Sequence, residues 1–336
     1  MKVKLPNTEY IGNQIFCDYR KYPKEWGYNR IQTARYYLKV YRGYSLAYWR
    51  LFLALIFKRC YYGPFKGEFG NFLAHTLPFL VYLHSKNVKI YYCGMTLHKP
   101  FIVDEKGNSI VYKYYGLRDF FREVSPDDNS TIPPPDVQKE INEFENEAKK
   151  SIYPYFNING GFYYWFVHRS WLLNGFMKMY RLEKACKTKD ENAVVIFPRS
   201  KGAKSSPGNG DPWDYQEIAD TVRNYFDKVY IVGHPAFSAS VNAHDNIALV
   251  ITDDNSKILE KCCNSKLIIS QHSGSFYLGE YTNTQMLIIF RGKFPIYSVN
   301  DSLIFKEHIG SRHKIEFAFS MEEIKNYVSS FSKKSD

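Results

Sequence analysis

The two halves of the chain differ in how regularly apolar and polar positions alternate. After residue 192, short apolar runs rich in β-branched residues are separated by stretches in which apolar residues recur every three or four positions. The runs Val194–Pro198, Val229–Gly233, Ala248–Thr252, Leu267–Ser270, Met286–Phe290 and Ile315–Phe319 read as strands. Trp213–Phe226, Ser256–Cys263 and Ser275–Tyr281 read as the helices between them. Near-continuous apolar strands alternating with helices predict a parallel sheet covered on both faces, with ligands at the C-terminal strand ends. The expected class is therefore α/β.

The first half is less regular. Tyr36–Phe57, Phe72–Ser85, Val137–Ser151 and Gly160–Tyr180 read as helices and Val88–Cys93 as a strand. Residues 125–136 (SPDDNSTIPPPD) read as an exposed proline-rich loop. The polar gap 187–192 (KTKDEN) precedes the first clear strand of the second half and sets the expected boundary. Residues 1–190 would form one domain, 191–320 a second, and 321–336 a C-terminal helix and tail.

Composition narrows the class. With 336 residues, 45% apolar and 24% charged, the chain is globular and long enough for two domains. A net charge of +11 suits attraction to phosphate groups or an anionic surface. No zinc finger, RNP motif or long basic run occurs, so no nucleic-acid partner is expected. The 29 Tyr and 25 Phe supply either flat faces for a sugar or a large aromatic core. The six cysteines form no CxxC and read as reduced thiols. The N-terminus lacks an apolar leader, so a cytoplasmic location is expected. Leu46–Phe57 is apolar over 12 residues, short of a membrane span, and is flanked by Arg42, Lys58 and Arg59. Segment 36–62 thus reads either as a buried helix or as a peripheral contact with an anionic membrane.

Four stretches carry candidate chemistry. In LIISQHSGSFYLG a strand runs through His272, Ser273, Gly274 and Ser275 into a helix, with Glu280 in the next turns. Free main-chain N–H groups at a helix start attract an anion, and Gly lets a ligand approach; the plainer reading is a Ser cap. VVIFPRSKGAKSSPGNGDPW puts Arg199, Lys201 and Lys204 on a Gly/Ser loop after a strand, which suits a diphosphate or is simply a solvated basic loop. GPFKGEFGNFLAHTLP brackets Glu68 with Gly67 and Gly70, then continues through Asn71 to His75. Glu68, with His75 as second candidate, would be a general base, or else a helix cap and a core histidine. His234 follows the strand end in VGHP, as a donor contact or as part of a turn. No HExxH, GxSxG, Walker loop or DxD pair is present, and no metal site is expected.

In this order the motifs resemble those of the GT-B glycosyltransferases, and most of all the heptosyltransferase-like family (glycosyltransferase family 9). GEFGNFLAHTLP answers to that family's N-terminal loop, G-(D/E)-x-(x)-x-x-x-P. FPRSKGAKSSPGNGDPW answers to its basic loop, with Trp213 in the aromatic slot, and VGHP to its Gly-x-Pro strand end. SQHSGSFYLGEYTNTQMLIIF answers to its donor loop, with His272 where the family usually has Asp. The resemblance covers 190–292 and, more loosely, 63–95. It implies two Rossmann-like domains with parallel sheets facing a cleft, the nucleotide on the second domain and no essential metal or other cofactor. The implied activity is transfer of a sugar, with inversion, from a nucleotide sugar to the hydroxyl of a glycan, polysaccharide or lipid-linked acceptor. A CMP-sugar enzyme of the Kdo or sialyl type, a polysaccharide pyruvyltransferase, and a non-catalytic glycan- or membrane-binding protein are the competing expectations.

Overall fold

The computed structural model describes residues 2–5, 8–11, 22–25, 27–67, 69–120, 133–158, 192–199, 213–235, 238–271, 274–291 and 315–332. Strands β1 (Lys2–Leu5) and β2 (Thr8–Ile11) pair as an antiparallel hairpin, followed by the short helix α1 (Tyr22–Glu25). Helix α2 (Arg30–Phe57) is longer than the apolar pattern predicts because Asn29 caps it. The Asn29 side chain accepts from the Gln32 N–H at 2.9 Å, and the Gln32 side chain accepts from the Asn29 N–H at 2.9 Å. Lys58 closes the helix in the left-handed conformation.

Three parallel strands, β3 (Arg59–Phe65), β4 (Lys89–Met95) and β5 (Lys113–Leu117), form the first sheet. Between β3 and β4 a single rod carries α3 (Phe69–Asn71), a π turn (Phe72–Thr76) and α4 (Leu77–Ser85). A 3₁₀ segment (Thr96–Phe101) follows β4. Helix α5 (Pro135–Ser151) begins on a proline, where a missing N–H costs nothing, so it starts inside the stretch expected to be loop. Its apolar residues Val137, Ile141, Phe144 and Ala148 share one face and pack with Tyr61, Met95, Tyr115 and Leu117. Segment 156–158 runs beside β3, where the Ile158 N–H donates to the Tyr61 carbonyl at 3.0 Å.

The second sheet is parallel throughout and contains β6 (Ala193–Phe197), β7 (Lys228–Gly233), β8 (Ile247–Ile251), β9 (Leu267–Ser270), β10 (Gln285–Ile289) and β11 (Ile315–Ala318). Its spatial order is β11-β10-β9-β6-β7-β8. In this half's own strand numbering that is 6-5-4-1-2-3, the Rossmann order. One face, including Val194, Ile196, Ile231, Ile269 and Leu287, packs with α6 (Tyr215–Val222) and the C-terminal helix α9 (Met321–Ser332). The other face carries Val195, Val232, Ile268, Met286 and Ile288, with α7 (Asn255–Asn264) and α8 (Leu278–Thr282) on that side. Period-two alternation sends successive side chains to opposite cores.

The sheet is not covered evenly: β8 is an edge strand whose Leu249 and Ile251 are exposed, because a third strand ends the sheet on that side. The helix read at Ser275–Tyr281 is a 3₁₀ turn (Gly274–Tyr277) followed by the five residues of α8. The helix read at Gly160–Tyr180 and the boundary near 190 lie outside the described residues. Cys60, Cys93, Cys262 and Cys263 are buried.

The two sheets share one apolar core. The same buried cluster holds Phe72, Leu73, Leu77 and Ile90 from the first half and Val195, Ile268, Leu278 and Tyr281 from the second. Tyr281 donates its hydroxyl to the Leu73 carbonyl at 3.2 Å, and Asn255 Nδ2 donates to the Leu97 carbonyl at 2.8 Å. His98 is buried beside this seam, stacked on Phe72 at 4.1 Å and flanked by Phe65 and Phe69. Burial holds its imidazole neutral, lowering its pKa from 6.5 to about 3.

A group neutral in the fold but protonated in the unfolded chain weakens the fold as pH falls. The stability tied to His98 is therefore whole above pH 6.5 and drains away as pH drops toward 3. His98→Phe should flatten that acid limb. Urea titrations across this pH range would show a smaller loss of stability than in the parent; parallel curves would clear the imidazole of the effect.

Candidate functional site

In an open parallel sheet, strands on either side of the order reversal leave a crevice at their C-terminal ends. Here the reversal lies between β6 and β9, which pair through Val194–Phe197 and Leu267–Ser270. Arg199 follows β6, His234 follows β7, and Gln271, Gly274 and Ser275 follow β9. Parallel pairing thus brings separate sequence motifs to one edge.

Hydrogen bonds tie this edge together. Arg199 forms a main-chain bridge with Ser238, whose N–H donates to the His234 carbonyl at 3.1 Å. The Ala239 N–H donates to the Pro198 carbonyl at 2.6 Å. Gly233 leaves room for this turn, since a β-carbon there would lie 1.9 Å from Ser238 Oγ. Across the reversal, buried Tyr215 donates its hydroxyl to Gln271 Oε1 at 2.7 Å. Burial pushes the Tyr215 phenol up, opposed by a main-chain hydrogen bond and the positive charge of Arg199. Arg199, Tyr215 and Gln271 therefore form one polar group at the crevice.

The turn after β9 is braced from beneath. Ser270 donates its hydroxyl to the Gln271 carbonyl at 2.7 Å and lies 2.6 Å from Ser275 Oγ. A hydroxyl has one proton to give, so Ser275 is the donor in that pair. Its hydroxyl anchors the turn rather than facing a ligand as donor. The following helix is short and begins as 3₁₀, so its dipole is small. Attraction for an anion here falls to main-chain N–H groups and to the arginines. One of these, Arg291, follows β10 and sits over the Trp213 ring at 5.7 Å.

The loop from the first half meets this turn. A β-carbon on Gly274 would lie 3.0 Å from the Gly70 nitrogen, and one on Gly70 would lie 3.0 Å from Gly274 Cα. Main chain approaches main chain, so a side chain at either position would have to push the facing backbone aside. Gly67 serves the same loop differently: the Phe65 ring lies where its β-carbon would be, at 2.8 Å. A π turn then carries the rod past the contact, a distortion common at functional sites.

The structure thus brings together Gly67, Gly70, Arg199, His234, Gly274 and Ser275 of the expected site. Asn71 and His75 lie on the rod and Glu280 lies in α8, but their side chains are outside the described residues, as are Glu68, Lys201, Lys204, His272 and Ser273. Sequence reading missed Tyr215, Gln271 and Arg291. Gln271 lay inside a motif already singled out, and Arg291 directly follows an apolar strand. Tyr215 gave no signal, because its partner is 56 residues away. Among the described residues, no group of three or more His, Cys, Asp or Glu is placed to hold a metal ion.

No family model matches the chain, and no curated protein matches it in sequence. Solved structures do. E. coli heptosyltransferase WaaC with ADP superposes with a TM-score of 0.50 at 10% identity, over 83% of this chain and 100% of that one. The same enzyme with ADP-2-deoxy-2-fluoro heptose gives 0.49 at 9% identity, over 83% and 100%. A family 9 glycosyl transferase from Veillonella parvula DSM 2008 gives 0.49 at 12% identity, over 82% and 89%. At this identity the likeness to WaaC speaks for architecture: the chain has the two-sheet α/β fold of the GT-B glycosyltransferases.

Proposed function

We propose that the protein is a glycosyltransferase. It would move a sugar from a nucleotide sugar to a hydroxyl of a glycan or lipid-linked acceptor, with inversion and without an essential metal. The observation that carries this reading is the apposition of Gly70 and Gly274 beside the Arg199–Tyr215–Gln271 group. A nucleotide diphosphate in the crevice would meet Arg199, Arg291 and the basic loop that continues to Lys201 and Lys204. These cations stabilise the charge that develops on the leaving diphosphate, the task a metal performs elsewhere. The acceptor would approach from the Gly67–Gly70 side, where Glu68 removes its proton and His75 is the second candidate base. One base suffices for a single in-line displacement, which inverts the anomeric centre. Segment 36–62 would hold the protein at a membrane surface, and the location would be cytoplasmic. WaaC was solved with ADP, which makes ADP the first nucleotide to try.

The reading makes three checkable demands. In a thermal-shift panel of ADP, UDP, GDP and CMP with EDTA present, at least one nucleotide should raise the melting temperature. At about 100 times its Kd, the ligand adds about 2.7 kcal/mol of stability. Silence from all four would remove the nucleotide-sugar assignment, and a response to CMP alone would move it to the CMP-sugar class. Glu68→Gln should lower kcat by about 10²–10⁴-fold with little change in KM; full turnover would strip Glu68 of the role and make His75→Ala the next variant to assay. Gly274→Val drives a side chain into the Gly70 main chain. It should cost about 100-fold in kcat/KM, the penalty of a misplaced reacting pair, while far-UV circular dichroism stays unchanged.

A further inference from the structure

Helix α2 is apolar on two opposite sides. Its inner side, Gly43, Ala47, Leu51 and Ala54, is buried. The outer side carries Leu38, Trp49, Phe52 and Ile56, which are 73%, 57%, 51% and 55% exposed. At 100° per residue these four fall within about 60° of one another, across the helix from the buried side. The Trp49 and Phe52 rings stack at 5.6 Å, so the stripe presents a preformed aromatic face. From Leu38 to Ile56 it is about 27 Å long.

Charge says what covers it. Helix α2 contains Arg30, Arg35, Lys39, Arg42 and Arg50 and no carboxylate. Arg30, Arg35, Lys39 and Arg42 are exposed. A second copy of the same helix would bring its four exposed cations toward these four, so self-association is disfavoured. An acidic protein would meet the cations but offers no particular match to a long straight apolar stripe. An anionic bilayer meets both: headgroups take the arginines and lysine, whose long stems reach up from the surface, and the acyl boundary takes Trp, Phe, Leu and Ile. Among the described residues, no helix is long and apolar enough to cross a membrane, so the helix would lie in the interface plane.

We propose that the outer face of α2 docks on an anionic lipid surface through Leu38, Trp49, Phe52 and Ile56. This does not rest on the glycosyltransferase reading. Lys58 ends the helix, and β3 follows it in the chain toward the Gly67–Gly70 loop.

The test is co-sedimentation of the full chain with vesicles of phosphatidylglycerol mixed with phosphatidylcholine. The parent protein should pellet with these vesicles at low salt and remain in solution with phosphatidylcholine alone. Trp49→Ser/Phe52→Ser should weaken partitioning about tenfold or more, with an unchanged melting temperature, since both side chains are exposed. Arg35→Gln/Arg42→Gln should weaken it too and make the residual binding less sensitive to salt. A parent protein that stays in the supernatant with anionic vesicles overturns the proposal, as does binding that ignores both double variants. So does a concentration-dependent dimer in sedimentation velocity that W49S/F52S abolishes, because the face would then belong to a second copy. Nucleotide thermal shifts measured on the same samples keep the two readings apart. A shift without vesicle binding sinks only the docking surface, and binding without a shift sinks only the transferase.

Discussion

Parallel hydrogen bonding is the constraint from which the site follows. Six strands running one way send every C-terminal end to a single edge, and the jump from β8 to β9 reverses the direction in which the sheet grows. That reversal separates the connections after β6 and β9, and main-chain groups face the gap instead of packed side chains. Arg199 and Tyr215, from the connection after β6, meet Gln271, from the connection after β9, although 56 residues separate Tyr215 from Gln271. The first sheet obeys the same rule: β3 delivers the Gly67–Gly70 loop from its own C-terminal end. Two parallel sheets aimed at one seam explain why chemistry gathers in a small part of a 336-residue chain.

Much of this architecture is legible in the sequence. Leu267–Ser270 appears as the strand expected, and the other five strands of the second sheet differ by a residue or so at their ends. Buried parallel strands write themselves as continuous apolar runs, which survive without knowledge of their neighbours. Their order does not, because it is set by pairing between distant segments. The edge position of β8 is hidden for the same reason: Ile247–Ile251 is as apolar as a central strand. The polar contact between Tyr215 and Gln271 is invisible because neither residue type nor spacing announces it. The glycines were legible as loops, but that Gly70 and Gly274 face each other was not.

The aromatic excess has a structural cause in the first half. Tyr61, Tyr62, Tyr92, Phe72, Phe79 and Phe101 are fully buried, and many pair at ring distances of 5–6 Å, such as Tyr62 with Tyr92 at 5.8 Å. A three-stranded sheet has little area with which to fill a core, and large flat side chains fill it with few residues. The neutral imidazole of His98 joins that packing as another ring, at 4.1 Å from Phe72. Helix α2 differs, because its rings continue around to a side that no described element covers.

The contact at Gly70 and Gly274 has a genetic consequence. When two side chains touch, a bulkier residue at one position can be offset by a smaller one at the other. Here each glycine faces main chain, at 3.0 Å in both directions. The partner has no side chain left to shrink. A substitution at either glycine therefore has no direct second-site suppressor at the other. Revertants selected from such a variant should map to the original codon, or to distant residues that tilt α8 or the rod as a whole.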